Sequence, residues 1–165
     1  MSNKSQLYKA IAIPNCRVLE IGVAEGNTMV ELLKRNPTLT YLGIDPWKWS
    51  IELTQPPHGL SQLKSQEDID KWYEGVLRLL EDFDGRGEII KGTSKEIIPQ
   101  LTELFDVIHI DGDHTYEGCK WDIDNTISLL KEDGVMVIDD VHFWPGCTQA
   151  WKESKEEYQH ISILP

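Results

Sequence analysis

The sequence of 165 residues lacks features that mark several protein classes. Its three cysteines, Cys16, Cys119 and Cys147, form no Cys-x-x-Cys pair, which argues against a zinc site and for free thiols in a reducing compartment. No run of about 18 apolar residues is present, and the N-terminus has no apolar signal core. We therefore expect a cytoplasmic protein without a membrane-spanning segment.

Positive charge is also scarce. The 16 lysines and arginines face 28 acidic residues, which gives a net charge of −12. Nucleic-acid partners need clustered basic residues, and anionic membrane surfaces attract them, so both classes of partner are disfavoured. A small-molecule substrate and bound cations remain compatible with this charge. The length predicts a single domain over residues 1–165.

Short apolar runs alternate with amphipathic stretches along the chain, a rhythm typical of βαβ units. The predicted fold is α/β: a three-layer, Rossmann-like, doubly wound and mostly parallel sheet, trimmed at the C-terminal edge. Ligands of such sheets bind outside the carboxyl ends of the strands, where polar residues cluster in this sequence. We predict strands at 17–21, 40–44, 88–91, 105–110 and 134–138, a sixth strand at 160–164, and helices at 27–35, 66–82, 94–101, 116–130 and 148–158.

The turn after the first strand reads Glu20-x-Gly22-x-x-x-Gly26. The two glycines permit a tight turn and a close helix start, but their spacing differs from the Gly-x-Gly-x-x-Gly of dinucleotide folds. An acid at position 20 disfavours a diphosphate and suits a cationic ligand. S-adenosylmethionine, with its sulfonium and ammonium groups, fits this description, and Glu20 is expected on the ammonium side or behind a water.

Two further strand ends complete the predicted cofactor side. Asp45 ends the second strand, where an acid typically accepts both ribose hydroxyls, although Asp45-Pro46 could be only a turn. Thr93 and Ser94 follow the third strand and would lie beside the adenine. A simple N-cap of the next helix is a nearly equal alternative for either residue.

Acidic residues end the fourth and fifth strands. Asp111, Asp113 and His114 follow the fourth strand, and Asp139 and Asp140 follow the fifth. Because adjacent parallel strands place their ends side by side, these carboxylates should converge and repel one another. A hard divalent cation would neutralise them, Mg²⁺ first, with Mn²⁺ or Ca²⁺ as alternatives.

Over nearly its whole length the chain resembles the class I S-adenosylmethionine-dependent methyltransferases. Asp-Gly-Asp-His-x-Tyr-Glu-Gly from Asp111, with the later Asp-Asp pair, is similar to the metal-dependent O-methyltransferases of macrolide and aminocoumarin sugars. The resemblance implies that Asp111, Asp139 and Asp140 bind the metal and that Asp113 is the general base. Asp111 is also placed beside the cofactor.

The implied reaction is transfer of a methyl group to a hydroxyl of a small molecule. The metal would lower the pKa of that hydroxyl, and Asp113 would take its proton, with His114 or His142 as alternative bases. His114 has an equal chance of a structural role. His109, inside the fourth strand, is expected to be a satisfied sheet residue, and His58 has no assigned role.

Two aromatic residues are expected near these groups. We predict that Trp144 lines the acceptor pocket and that Trp47 lies on the cofactor side. Family sheets usually have seven strands, the last antiparallel, with more helical structure before the first strand. Because this chain is short at both ends, we expect a homodimer.

Other functions remain open at this point. The same fold could be a hydroxylase-like enzyme or a non-catalytic cofactor-binding module. A nicotinamide dehydrogenase is disfavoured by the glycine spacing. A nucleic-acid methyltransferase is disfavoured by charge and by the lack of an Asn/Asp-Pro-Pro-Tyr element.

Overall fold

The computed structural model describes residues 4–50 and 63–165. Six strands in these ranges form one sheet in the order β3-β2-β1-β4-β5-β6, and every neighbouring pair is parallel. The α/β fold predicted above is thus confirmed. The strands are Arg17–Ile21 (β1), Thr40–Asp45 (β2), Gly87–Lys91 (β3), Phe105–Ile110 (β4), Leu130–Ile138 (β5) and Ser162–Leu164 (β6).

Helices cover both faces of the sheet, because side chains alternate between the faces along each strand. One apolar core joins residues of α1, α2 and α3 to one face, and a second joins residues of α5 and α6 to the other. The helices are Lys4–Ala10 (α1), Asn27–Arg35 (α2), Gln66–Leu80 (α3), Ser94–Ile97 (α4), Tyr116–Thr126 (α5) and Pro145–Glu157 (α6).

Several boundaries differ from the predicted ones. The α-helical parts of α3, α4 and α5 end early, and each continues as a single 3-10 turn. The strand β5 starts at Leu130, four residues before the predicted start, and pairs irregularly with β4 near Phe105. The helix α1 was not predicted. The predicted sixth strand is present, and a seventh strand is not found among the described residues.

The order of the strands reverses between β1 and β4, which are neighbours in the sheet: β2 and β3 lie on one side of β1, and β4, β5 and β6 lie on the other. The backbone ladder continues one residue past the strand ends, where the amides of Gly22, Asp111 and Asp139 donate to carbonyls of the adjacent strands. These bonds hold the loops after β1, β4 and β5 together at the edge where ligands of such sheets bind. In the part of the chain that the structure describes, no helix is long and apolar enough to span a bilayer.

Candidate active site

The loop between β1 and α2 lies tightly against the end of β4. Gly22 has a φ of +91°, and a Cβ built on it would stand 2.0 Å from the backbone oxygen of Asp111. Gly26, at the start of α2, has a φ of +77°. Both positions favour glycine because of the left-handed backbone, and at Gly22 the close approach excludes any side chain. The glycines therefore join the predicted cofactor loop to the predicted acidic loop.

Asp45 fixes the conformation of the same loop. Its Oδ2 accepts hydrogen bonds from the amides of Val23 and Ala24, both at 3.0 Å, and its Oδ1 accepts from the amide of Trp47 at 2.7 Å. Burial raises the pKa of Asp45, and these hydrogen bonds oppose that rise. The structure thus places Asp45 beside the glycine loop, as predicted, while its contact with a ribose stays a prediction.

Trp47 also belongs to this loop. Its Nε1 donates to the carbonyl of Ala24 at 3.0 Å, its ring centroid lies 4.9 Å from that of Tyr73, and only 2% of the residue is exposed. The indole therefore supports the loop from the core. His58 lies outside the described residues.

Thr93 and Ser94 have separate local roles. Thr93 is the N-cap of α4 in a capping box: its hydroxyl accepts from the amide of Glu96 at 3.3 Å, and the Glu96 carboxylate accepts from the amide of Thr93 at 2.9 Å. The Ser94 hydroxyl bonds to the carboxylate of Asp122, which is 3% exposed on α5. Burial raises the pKa of Asp122 to about 6. An adenine contact of Thr93 and Ser94 stays a prediction.

A row of polar side chains, three of them buried and the last partly buried, crosses four neighbouring strands: Tyr41 of β2, Glu20 of β1, His109 of β4 and Asp139 after β5. We call these four residues the buried polar row. The Tyr41 hydroxyl donates to Oε2 of Glu20, and Nδ1 of His109 lies 2.8 Å from Oε1 of Glu20. Nε2 of His109 lies 3.8 Å from Oδ2 of Asp139. The expectation that His109 is a satisfied sheet residue is therefore confirmed.

Charge explains why the row tolerates burial. Glu20 and His109 are each 1% exposed, and an unpaired ion there would cost several kcal/mol. Burial by itself lowers the pKa of His109, but the carboxylates of Asp139 and Glu20 raise it to about 10. These two acidic partners thus favour the protonated imidazole, and His109 lowers the pKa of Asp139 against the effect of burial. Both oxygens of Glu20 are engaged inside the protein, so Glu20 acts behind the ligand-binding edge.

Four of the predicted site residues converge next to this row. Donor atoms of His109, Asp111 and Asp139 lie within 4.8 Å of one another, and so do those of Asp111, His114 and Asp140. Asp111 belongs to both groups, whereas Asp139 and Asp140 fall into different ones. The predicted three-carboxylate set is thus divided into two adjacent groups, each with a histidine. His114 was predicted close to the carboxylates, whereas His109 was not.

The electrostatics of these groups suit a cation. Burial is the largest cause that raises the pKa of Asp111 and of Asp140, and the charges of neighbouring carboxylates raise it further. Burial lowers the pKa of His114, but Asp111 and Asp140 raise it to about 9, and its Nε2 lies 3.2 Å from Oδ2 of Asp140. Carboxylate oxygens are the ligands that Mg²⁺, Mn²⁺ and Ca²⁺ prefer. The residues present therefore fit a divalent metal.

Asp113 lies outside both groups. Its Oδ1 accepts from the amide of Thr115 at 2.8 Å, and its carboxyl group occupies the space that a Cβ at Gly118 would fill, 2.3 Å from its Cγ. The residue is exposed, so a ligand can approach it. The structure brings Asp113 to the predicted edge but holds it against the start of α5.

An open groove of about 600 Å³ lies beyond Asp140, along the first turns of α6. Trp144, which was predicted to line the acceptor pocket, is not among the described residues that line this groove; its ring stacks on that of His114, with centroids 5.8 Å apart and planes 10° apart. Phe143 on the wall of the groove is 64% exposed. The lining mixes aromatic, charged and amide side chains: His142, Phe143, Pro145, Thr148, Gln149, Lys152 and Glu153.

Sequence reasoning missed Tyr41 and the pairing of Glu20 with His109. The available signal was a charged or polar residue inside each of two strongly apolar strands, Val18-Leu-Glu-Ile21 and Val107-Ile-His-Ile110. Buried polar groups need partners, so two such residues in adjacent strands should face each other.

Comparison with known proteins gives a consistent result. A family model described as a methyltransferase domain matches residues 19–141. No curated protein matches the chain. Among solved structures, the O-methyltransferase NovP is similar, with a TM-score of 0.68 and 18% identity over 94% of this chain and 71% of that chain.

Two other solved structures share the fold. The precorrin-6y C5,15-methyltransferase of Geobacter metallireducens has a TM-score of 0.65 and 15% identity, over 94% of this chain and 70% of that one. The S-adenosylhomocysteine-bound methyltransferase PaMTH1 of Podospora anserina has a TM-score of 0.59 and 16% identity, over 87% of this chain and 62% of that one.

Proposed function

Because this chain belongs to the methyltransferase-domain family, we propose that it transfers a methyl group from S-adenosylmethionine to a hydroxyl of a small molecule, with a divalent metal assisting. The acceptor class we propose is a sugar or a sugar-bearing natural product. The observation that carries this proposal is the position of Asp111: its backbone touches the glycine loop, and its carboxylate belongs to both groups of potential metal ligands. Cofactor and metal would therefore be neighbours.

Each half of the site has a defined task in this reaction. The loop from Gly22 to Gly26, shaped by Asp45, would hold the cofactor. Asp111, Asp139 and Asp140 would hold the metal, which when bound lowers the pKa of a coordinated hydroxyl. The groove beyond Asp140 would hold the acceptor, because its exposed aromatic and hydrogen-bonding side chains suit a hydroxylated organic ligand.

We propose Asp113 as the group that takes the hydroxyl proton. It is exposed, it is two residues from Asp111, and the amide of Thr115 fixes the direction of its carboxylate. His114, the alternative base, lies beside Asp111 and Asp140, which raise its pKa in the metal-free protein and so disfavour it as a base. We therefore expect Asp113→Asn to lower kcat by about 10²- to 10⁴-fold, with binding of S-adenosylhomocysteine unchanged. A larger loss in His114→Asn than in Asp113→Asn would reverse the assignment.

The test of the whole proposal is calorimetric titration with S-adenosylmethionine, with and without Mg²⁺ or Mn²⁺, followed by methyl-transfer assays on a panel of hydroxylated acceptors. We expect cofactor binding in both conditions and turnover only with metal. Asp140→Asn should abolish metal-dependent turnover, whereas the control Asp133→Asn, at an exposed acid of β5, should not. Failure to bind the cofactor in either condition would refute the proposal. Binding without turnover on any acceptor would favour a non-catalytic module.

The homodimer expected from the sequence also remains a proposal. Light scattering of the purified protein at micromolar concentration tests it, and a stable monomer would contradict it.

A further inference from the structure

Three members of the buried polar row, Tyr41, Glu20 and His109, lie behind the proposed metal site and have no part in the reaction described above. We propose that Tyr41, Glu20 and His109 form a positioning relay that fixes the carboxylate of Asp139 for a divalent metal. This inference rests on the proposed function, because Asp139 is one of the proposed ligands. It adds three positioning residues to that function.

The register of the strands shows that the relay is built into the sheet. Glu20 of β1 lies directly beside His109 of β4 in the parallel pairing. His109 is in turn paired with Val137 of β5, and Asp139 follows two residues later on the same face. Tyr41 belongs to the apolar core on this face, together with Val18, Val107 and Val137. The His109 imidazole, with Glu20 on one side and Asp139 on the other, therefore has little freedom to turn.

The contacts of the relay follow one order, which begins at Tyr41 and ends at Asp139. The Tyr41 hydroxyl occupies one oxygen of Glu20, and Nδ1 of His109 occupies the other at 2.8 Å. The imidazole ring is thereby oriented so that Nε2 points toward Asp139, 3.8 Å from its Oδ2. The other oxygen of Asp139, Oδ1, accepts from the amide of Asp140 at 2.8 Å. One oxygen of Asp139 thus accepts a hydrogen bond, and the other faces, at 3.8 Å, a histidine whose own orientation depends on Glu20.

Outer partners that orient metal ligands commonly contribute 10- to 100-fold to metal affinity. We expect His109→Gln and Glu20→Gln to weaken Mn²⁺ binding by that factor. Tyr41 is one hydrogen bond farther from Asp139 than Glu20 is. Tyr41→Phe should therefore weaken Mn²⁺ binding by about three- to tenfold. The effect should follow the order of the relay, which a general loss of stability would not produce.

The matched control is Tyr8→Phe. The Tyr8 hydroxyl donates to the carboxylate of Glu31, so this variant also removes a tyrosine–glutamate hydrogen bond, but between α1 and α2. It should leave the Mn²⁺ affinity unchanged. Because His109→Gln could fail to fold, Tyr41→Phe is the decisive variant, since it removes one oxygen atom and keeps the ring.

The experiment is calorimetric titration of the whole chain with Mn²⁺ alone, combined with nitrogen–proton NMR of the His109 imidazole in metal-free protein. We expect Tyr41→Phe to weaken Mn²⁺ binding and to shift the imidazole resonances, and Tyr8→Phe to do neither. Equal Mn²⁺ affinity in Tyr41→Phe and wild type would overturn the relay and leave the proposed function intact. No Mn²⁺ binding by the wild-type protein would overturn the metal assignment itself, and the relay with it.

Discussion

Asp122 is the buried acid whose removal makes the sharpest prediction. It lies on α5 and is 3% exposed, with Ser94 as the side-chain hydrogen-bond partner that lowers its pKa. No lysine or arginine forms a salt bridge with it in the described residues. We predict that Asp122→Asn, which keeps the shape and removes the charge, stabilises the protein at neutral pH.

The size and sign of the change in unfolding free energy follow from the pKa of Asp122. Burial raises the pKa of Asp122 from 3.8 to about 6, and a difference of that size is worth about 3 kcal/mol. The folded state binds more protons than the unfolded state between these two values, so stability falls as pH rises through 6. Asp122→Asn should therefore gain up to about 3 kcal/mol at pH 7.5 and almost nothing at pH 4.

Urea denaturation of both proteins at pH 7.5 and pH 4 measures this difference. The control is Asp124→Asn on the same helix, where the carboxylate is partly exposed and pairs with Lys120. That variant should lose no more than about 1 kcal/mol, since such ion pairs contribute little. If Asp122→Asn changed stability equally at both pH values, or destabilised the protein at pH 7.5, the explanation by burial of a charge would be wrong.

Three further predictions concern residues in the loops of the site or packed against them. Gly22→Ala should cost about 3 kcal/mol or more in unfolding free energy, because its methyl group would lie 2.0 Å from the Asp111 carbonyl oxygen on a left-handed backbone; an unchanged melting temperature would refute this. Gly146→Ala should cost about 1–3 kcal/mol in urea denaturation, since a Cβ there would stand 2.7 Å from the backbone oxygen of His114. Asp45→Ala removes the acceptor of three loop amides, and we expect calorimetry to show at least tenfold weaker binding of S-adenosylhomocysteine; unchanged affinity would contradict that role for the loop.

The central strands and α2 could be predicted because their signals are local. The mostly apolar runs of β1 and β4 indicate where these strands begin and end, and α2 has the predicted bounds. The start of β5 could not be predicted, since Lys131, Glu132 and Asp133 are polar and half-exposed or exposed. The helix α1 was missed because it spans seven residues and buries only Leu7 within them, too short a pattern to detect.

The candidate site shows the same division. Strand order brings Asp111, Asp139 and Asp140 to one edge, and that could be predicted from motif positions alone. The split into two groups could not, because it depends on the side-chain directions of His109 and His114. The partner of Glu20 depends on the register between β1 and β4, which are far apart along the chain.

The buried polar row has a consequence for folding as well as for the site. A slip of one residue between parallel strands turns every side chain to the opposite face. For β1 or β4 such a slip would move Glu20 or His109 into the apolar core formed with α5 and α6, leaving its partner charged and alone. Breaking a buried ion pair in this way costs about 3–5 kcal/mol. The four residues therefore exclude shifted pairings of the central sheet, so the same contacts that would hold a metal ligand also select one native alignment of the strands.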